Sequence, residues 1–204
     1  MEGPIIDGEG LAKGPIAFID RDGVLNYGQN GYVNHPHELK IIPGSGIAIA
    51  RLRKEGYSVC VVTNQSPIMR KLWSVERLHS IHASLKGQLL EEHPDAVLDI
   101  IITCPHRNRD RCFCRKPWPG MLIKGNNILR NENKENKSID WAGQKPKPWH
   151  PLDAMIGDRK SDMGAGWAIG ARTFEVSDKL GLPQVIDRVL DAEDPGDYYD
   201  PMRW

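Results

Sequence analysis

Two aspartates separated by one position, Asp20 and Asp22, end the apolar run of "IAFIDRDGVLN" and are followed at once by Gly23. Two carboxylates on one short bend repel each other, and a divalent cation placed between them and a phosphate offsets that repulsion. Mg²⁺ suits the position, because it takes a few oxygen ligands and keeps water and phosphate for the rest. The plainer reading of the same residues is an Asx-type turn at the end of a strand. Further along, "VVTNQS" offers the Thr63 hydroxyl with Asn64 and Gln65 beside it. "MIGDRKSD" offers Asp158 behind a turn glycine, and Asp162 four residues on shares its side if a helix starts there. Lys116 adds a compact positive charge. A nucleophilic carboxylate, an acid/base carboxylate, metal carboxylates, a hydroxyl and a lysine are the parts of a phosphoryl-transfer site, whose catalysis is mostly positioning and charge neutralisation.

A second cluster is "CPHRNRDRCFC". Cys104, His106, Cys112 and Cys114 supply four soft ligands, the count that closes a structural tetrahedral zinc site and leaves no place for water. Zinc is therefore expected to have a folding role, pinning a polar loop that carries Arg107, Arg109 and Arg111 and fixing Arg115 and Lys116 just beyond it. Three cysteines so close in a chain of this length do not form a disulfide framework.

The elements that must position these groups alternate in type. "IAFID", "YSVCVVTN", "VLDIIIT", "DAMIG" and "ARTFEV" read as strands, and "GSGIAIARLRKEG" as a helix closing on Gly56. A longer helix begins at the N-cap Ser74, with Val75, Leu78, Ile81, Leu85 and Leu89 on one face. "DMGAGWAIG" reads as a small-residue helix packed close to a sheet. Apolar strands alternating with amphipathic helices imply an α/β fold with a parallel sheet covered on both faces. Ligands bind such sheets beyond the carboxyl ends of the strands, and every polar cluster above sits at such an end. Residues 125–150, rich in Asn, Lys and Lys-Pro, are expected to form a solvated surface insertion after a short helix. The tail 177–204 holds one helix, "LPQVIDRVLDA", and an acidic, aromatic end. His35 and His37, and His79 and His82, lack carboxylate or cysteine company in the sequence and are expected at the surface.

The 204 residues fit a single domain, and 27 basic residues balance 27 acidic ones. That balance gives no electrostatic argument for nucleic acid or an anionic membrane as partner. No apolar run is long enough for a membrane helix, and the first residues lack a signal-peptide pattern, so a cytoplasmic monomer acting on a small molecule is expected.

The order "DRDGVLN", "TNQS", "RKP", "GDRKSD" resembles the four motifs of the haloacid dehalogenase-like (HAD) phosphatase superfamily, over about residues 15–176. The resemblance implies a Rossmann-like three-layer sandwich with a mostly parallel central sheet, Mg²⁺ and a phospho-aspartate intermediate. By it, Asp20 attacks phosphorus. Asp22 protonates the leaving oxygen and then activates water, and its backbone carbonyl joins Asp20 and Asp158 on Mg²⁺, with Asp162 in support. Thr63 and Lys116 hold the phosphoryl oxygens. The gaps between motifs have no room for a cap domain, so the site is expected to be open.

The cysteine–histidine loop narrows the likeness to two groups, the D-glycero-D-manno-heptose 1,7-bisphosphate 7-phosphatases and the histidinol-phosphate phosphatases. "CRKPWPGML" and "NGYV" (residues 30–33) resemble the first. That likeness puts Arg115 on the substrate beyond the transferred phosphate and Tyr32 at the rim. Asn26, Asn64, Gln65, Ser66, Arg70 and Arg159, in or beside the motifs, complete the expected substrate contacts. Pro67 stands where the family usually has glycine, the loop before "NGYV" is about one residue longer, and the 125–150 insertion departs from the compact pattern. The implied activity is removal of the 7-phosphate of a heptose bisphosphate, leaving the 1-phosphate for nucleotide-activated heptose synthesis and lipopolysaccharide. Histidinol-phosphate hydrolysis is the enzymatic alternative, and a catalytically lapsed, zinc-containing phosphate-binding domain the non-enzymatic one.

Overall fold

In chain order the protein forms β1 (Ile5–Gly8), β2 (Ile16–Ile19), α1 (Ser45–Lys54), β3 (Ser58–Asn64), α2 (Val75–Glu92), β4 (Ile100–Cys104), α3 (Gly120–Arg130), β5 (Ala154–Gly157), α4 (Lys160–Ala168), β6 (Arg172–Glu175) and α5 (Ile186–Leu190). These are the elements of a computed structural model that describes residues 3–29, 31–135 and 138–203. Asn30 of "NGYV", residues 136–137 of the insertion and Trp204 of the tail lie outside the described residues.

Among the described residues the strands form one six-stranded sheet in the order β1-β4-β3-β2-β5-β6, parallel except for β1. Side-chain alternation divides the core into two layers. Ala17, Ile19, Val59, Val61, Ile101 and Ile156 share one buried cluster with residues of α1, α2 and α5. Ile16, Phe18, Cys60, Val62, Ile102 and Met155 share the other with residues of α3 and α4. Burial on both faces is why these strands read as continuous apolar runs. From β2 the chain moves outward through β3 and β4, then returns across β2 to β5 and β6. The crevice at that reversal opens above the carboxyl end of β2, where Asp20 lies.

α2 starts where its cap predicts, with the Ser74 side chain accepting from the Arg77 N–H. Leu78, Ile81, Leu85 and Leu89 are fully buried. His82 is buried with them, contrary to the expectation of a surface histidine. It sits four residues after Leu78 and three before Leu85, on the core stripe, and the missing carboxylate comes from β1. Asp7 Oδ2 lies 3.6 Å from His82 Nδ1 and 3.9 Å from His79 Nδ1, while Lys86 Nζ is 3.0 Å from Asp7 Oδ1. The small residues of α4 do permit close approach: a Cβ on Gly166 would lie 2.6 Å from Met155 Cβ.

Two expectations about the second half are corrected. Residues 125–130 are the end of α3, not the start of a loop. The remainder of the insertion is not a free solvated loop either, because Ile139 and Trp141 pack on Met163, Trp167 and Tyr199. Trp141 stacks on Trp167 with ring centroids 5.7 Å apart and meets Trp118 edge-on. The tail also belongs to the fold. Asp197 accepts from the Glu175 N–H and donates its own N–H to the Thr173 carbonyl, which covers part of the open edge of β6.

Candidate active site

The Asp20 N–H donates to the Ile156 carbonyl, extending the β2–β5 pairing by one residue and fixing the carboxylate at the crevice floor. Lys116 Nζ lies 2.9 Å from Asp20 Oδ1, 2.6 Å from Asp162 Oδ1 and 2.7 Å from the Val62 carbonyl, and its side chain is buried. Its backbone is held by Asn64, whose amide oxygen accepts from the Lys116 N–H and whose amide nitrogen donates to the Lys116 carbonyl. The sequence thus places Lys116 on a loop, and the end of β3 locks that loop to the sheet.

Asp20, Asp158 and Asp162 bring carboxylate oxygens within 4.8 Å of one another. Asp158 follows β5, and Asp162 sits in the first turn of α4, where it accepts from the Arg159 N–H. Burial pushes Asp158 up to about 6, and the Asp20 carboxylate adds to the rise. Burial likewise raises Asp20, to about 6, against the pull of Lys116. Asp162 is also raised by burial, with Lys116 opposing. For Lys116, burial favours the neutral amine, but Asp162 and Asp20 outweigh it and hold the ammonium charged. Three carboxylates facing one ammonium leave an excess of negative charge. Asp158 Oδ1 is buried without a hydrogen-bond partner. An all-oxygen set with an orphan oxygen fits a hard divalent cation.

Asp22 is held differently. Its Oδ1 accepts from Arg21 Nε and Nη2 and Asn26 Nδ2, and its Oδ2 from Arg21 Nη2 and Gln65 Nε2. Burial favours the neutral acid, but Arg21 and these hydrogen bonds outweigh it and hold Asp22 below its ordinary value. Gln65 Nε2 also donates to Thr63 Oγ1, leaving the Thr63 hydroxyl proton free to be donated elsewhere.

The crevice is a cleft of about 340 Å³ lined by Asp20, Asp22, Thr63, Lys116, Arg115 and Arg159, with Tyr32, Asn64, Gln65 and Ser66 also on its wall. Tyr32 OH lies 3.1 Å from Ser66 Oγ and closes one rim. Asn26 and Arg70 are not brought to the wall. Asn26 is buried against Asp22 and the Tyr27 carbonyl, and Arg70 is exposed. Gln29, Asn108 and Ser161 line the cleft without having been anticipated, whereas Arg21, fully buried and bonded to the Asp22 carboxylate, does not line it. A larger hollow of about 750 Å³, between α3, α4 and the insertion, is lined by none of Asp20, Asp22, Asp158 and Asp162.

Beside the cleft, Cys104, His106, Cys112 and Cys114 converge as their spacing predicts. The sulfurs of Cys112 and Cys104 lie 2.9 and 3.1 Å from Cys114 Sγ, and His106 Nδ1 lies 3.4 Å from it. These separations are too long for a disulfide, about 2.05 Å. The donor set, two of them buried thiols beside a buried imidazole, fits a closed zinc site. Arg115 Nη1 donates to the His106 carbonyl, so the cluster anchors a cleft residue directly.

No family model matches the chain. The Pseudomonas putida protein named D-glycero-beta-D-manno-heptose-1,7-bisphosphate 7-phosphatase is 36% identical over 166 residues, 81% of this chain and 84% of that protein. The Pseudomonas aeruginosa protein of the same name is 41% identical over 167 residues, 82% and 83% of the two chains. The crystal structure of D,D-heptose 1,7-bisphosphate phosphatase from B. bronchiseptica, complexed with magnesium and phosphate, matches with a TM-score of 0.66 at 27% identity, covering 92% of this chain and 93% of that one. With such identity over four fifths of both partners and the same fold throughout, the chain belongs to the heptose-1,7-bisphosphate 7-phosphatase family of HAD-like phosphatases.

Proposed function

We propose that the protein is a Mg²⁺-dependent, zinc-stabilised phosphatase that removes the 7-phosphate of D-glycero-D-manno-heptose 1,7-bisphosphate through an aspartyl-phosphate on Asp20. It releases heptose 1-phosphate for nucleotide-activated heptose synthesis of the kind used in lipopolysaccharide, acting as a cytoplasmic monomer. Among the described residues no helix is long and apolar enough to cross a membrane. The observation that carries the reading is the Asp20 carboxylate at the cleft floor, 2.9 Å from a buried ammonium and beside two further carboxylates.

Asp20, Asp158 and the Asp22 carbonyl would hold Mg²⁺, with Asp162 in support; when bound, the ion offsets the charge of the transferring phosphoryl group. Lys116 keeps its ammonium beside the nucleophile, and Thr63 aims its free proton at a phosphoryl oxygen. Asp20 attacks phosphorus as the sugar oxygen leaves. Asp22 is the acid for that oxygen, and a phosphate dianion arriving beside it raises its proton affinity. Once the aspartyl-phosphate has formed, Asp22, again a carboxylate, takes a proton from the attacking water. Arg115 keeps part of its fork free for a second phosphate or sugar oxygens. Tyr32, Asn64, Gln65, Ser66 and Arg159 shape the remaining wall. Cys104, His106, Cys112 and Cys114 would hold zinc, which keeps the Arg115–Lys116 segment in place.

Substituting Asp20→Asn should abolish phosphate release while leaving the fold and zinc content intact; turnover near that of the wild type would refute the mechanism. The substrate is tested by kcat/KM with Mg²⁺ for both anomers of the bisphosphate and for histidinol phosphate. A preference of about 100-fold for one bisphosphate anomer, roughly 2.7 kcal/mol of transition-state binding, is expected.

A further inference from the structure

Arg21 lies between the two catalytic aspartates, yet its side chain is fully buried and is the largest side chain of that kind in the described protein. A buried guanidinium is costly unless paired. Every hydrogen bond its side chain makes goes to one group, the Asp22 carboxylate, through Nε and Nη2, while Nη1 is buried without a partner. The turn itself does not need the side chain. It is the Arg21 carbonyl that accepts from the N–H groups of Leu25 and Asn26, and any residue supplies a carbonyl. A packing role would be met more cheaply by an apolar residue, which needs no paired charge. What a guanidinium adds is a planar fork that fixes both the rotamer and the plane of a carboxylate. Asn26 on Oδ1 and Gln65 on Oδ2 complete the cradle from either side.

We infer that Arg21 is a positioning residue for the reaction, aligning the Asp22 carboxylate from behind for proton transfer at the cleft. The inference rests on the acid/base reading of Asp22. It predicts that Arg21 acts on the step that moves a proton and not on the binding of substrate.

The test is a double-mutant cycle with Arg21→Met, Asp22→Asn and the pair, using zinc-replete, folded protein checked by thermal melting and zinc content. Arg21→Met should lower kcat for the sugar bisphosphate by about 10²-fold, the lower end of the general acid–base contribution, with KM changed less than threefold. Its effect on the phosphorylation step, read in rapid-mixing bursts, should shrink for aryl phosphates whose leaving groups need no proton. In the Asp22→Asn background, Arg21→Met should cost little more, since the residue acts through Asp22. Arg21→Lys, which keeps a charge but not the fork, should recover only part of the loss and covers the case in which Arg21→Met does not fold. Multiplicative losses in the double variant, or equal losses for all leaving groups, would overturn the role. Near-wild-type activity of Asp22→Asn alone would instead refute the acid/base reading on which it rests.

Discussion

The three-carboxylate cluster makes a quantitative prediction for Asp158→Asn in protein dialysed free of Mg²⁺ but still zinc-replete. Asp158 is held at about 6 in the fold, against 3.8 ordinarily, because it is buried beside Asp20. At about 1.4 kcal/mol per pH unit, and roughly halved because solvent reaches the group, ionising it in the folded state costs about 1.5 kcal/mol more than in the unfolded chain. The sign follows from the raised value. Below pH 3.8 the acid is neutral in both states and there is no penalty; stability is lost as pH rises through 6 and the loss is constant above it. Asparagine has nearly the same shape and no charge. The variant should therefore match the wild type near pH 4 and exceed it by about 1.5 kcal/mol at pH 8, about 3–6 °C in Tm for a chain of this size. Saturating Mg²⁺ should reverse the order, since it stabilises the wild type by binding the native state and finds one ligand fewer in the variant. The assay is a pair of thermal melts at each pH, with and without Mg²⁺. A variant no more stable than the wild type at pH 8 without Mg²⁺ would refute the view that this cluster is held in electrostatic strain.

Two further perturbations probe the neighbouring supports. Lys116→Met leaves Asp20 and Asp162 buried without their cation and should cost about 3–5 kcal/mol in urea unfolding at pH 8, less at pH 5, below the value of about 6 to which Asp20 is raised; a loss below 1 kcal/mol at pH 8 would contradict the geometry. Cys112→Ser should reduce zinc content and lower kcat/KM for the bisphosphate about 10- to 100-fold, because the anchored Arg115 loses its support; zinc analysis beside kinetics checks this, and full activity in zinc-free protein would refute it.

The fold was legible where burial is two-sided. β2, β3, β4 and β5 are mainly apolar because helices cover both faces, and α2 announces itself by its Ser74 cap and the stripe through Leu78, Ile81, Leu85 and Leu89. β1 was not legible. It has two isoleucines ahead of Asp7 and Gly8, is only partly buried, and pairs antiparallel to an edge, so it has neither the length nor the burial of its neighbours. Its absence from the sequence reading also hid the partner of His82. The insertion misled by composition: its Asn and Lys residues outnumber the few side chains, Ile139 and Trp141, that fasten it to α4.

At the site, spacing identifies groups that carry charge or ligate, because Asp20, Asp22, Thr63 and Asp158 stand at strand ends or just beyond them and Lys116 on a loop that Asn64 ties to one. It does not tell a polar side chain that faces the cleft from one that faces inward. Asn26 reads like a substrate contact and is a buried donor to Asp22, while Asn64, on the wall, uses its amide on the Lys116 backbone. Arg21 is the sharpest case. In sequence it is one cation in a chain of zero net charge, flanked by two acids, and a solvated turn residue would look the same. Only β5 on one side of β2 and β3 on the other turn that position inward. The same packing that buries Arg21 brings Asp158 to Asp20, so the positive fork and the excess negative charge arise together from the strand order. Asp22 is thereby matched with a cation of its own, and Asp20 is left sharing Lys116 with Asp162. That asymmetry raises Asp20 and lowers Asp22 in the free site, the reverse of what a nucleophile and a general acid need, so under the proposed roles a cation beside Asp20 and a phosphate dianion beside Asp22 would have to invert both.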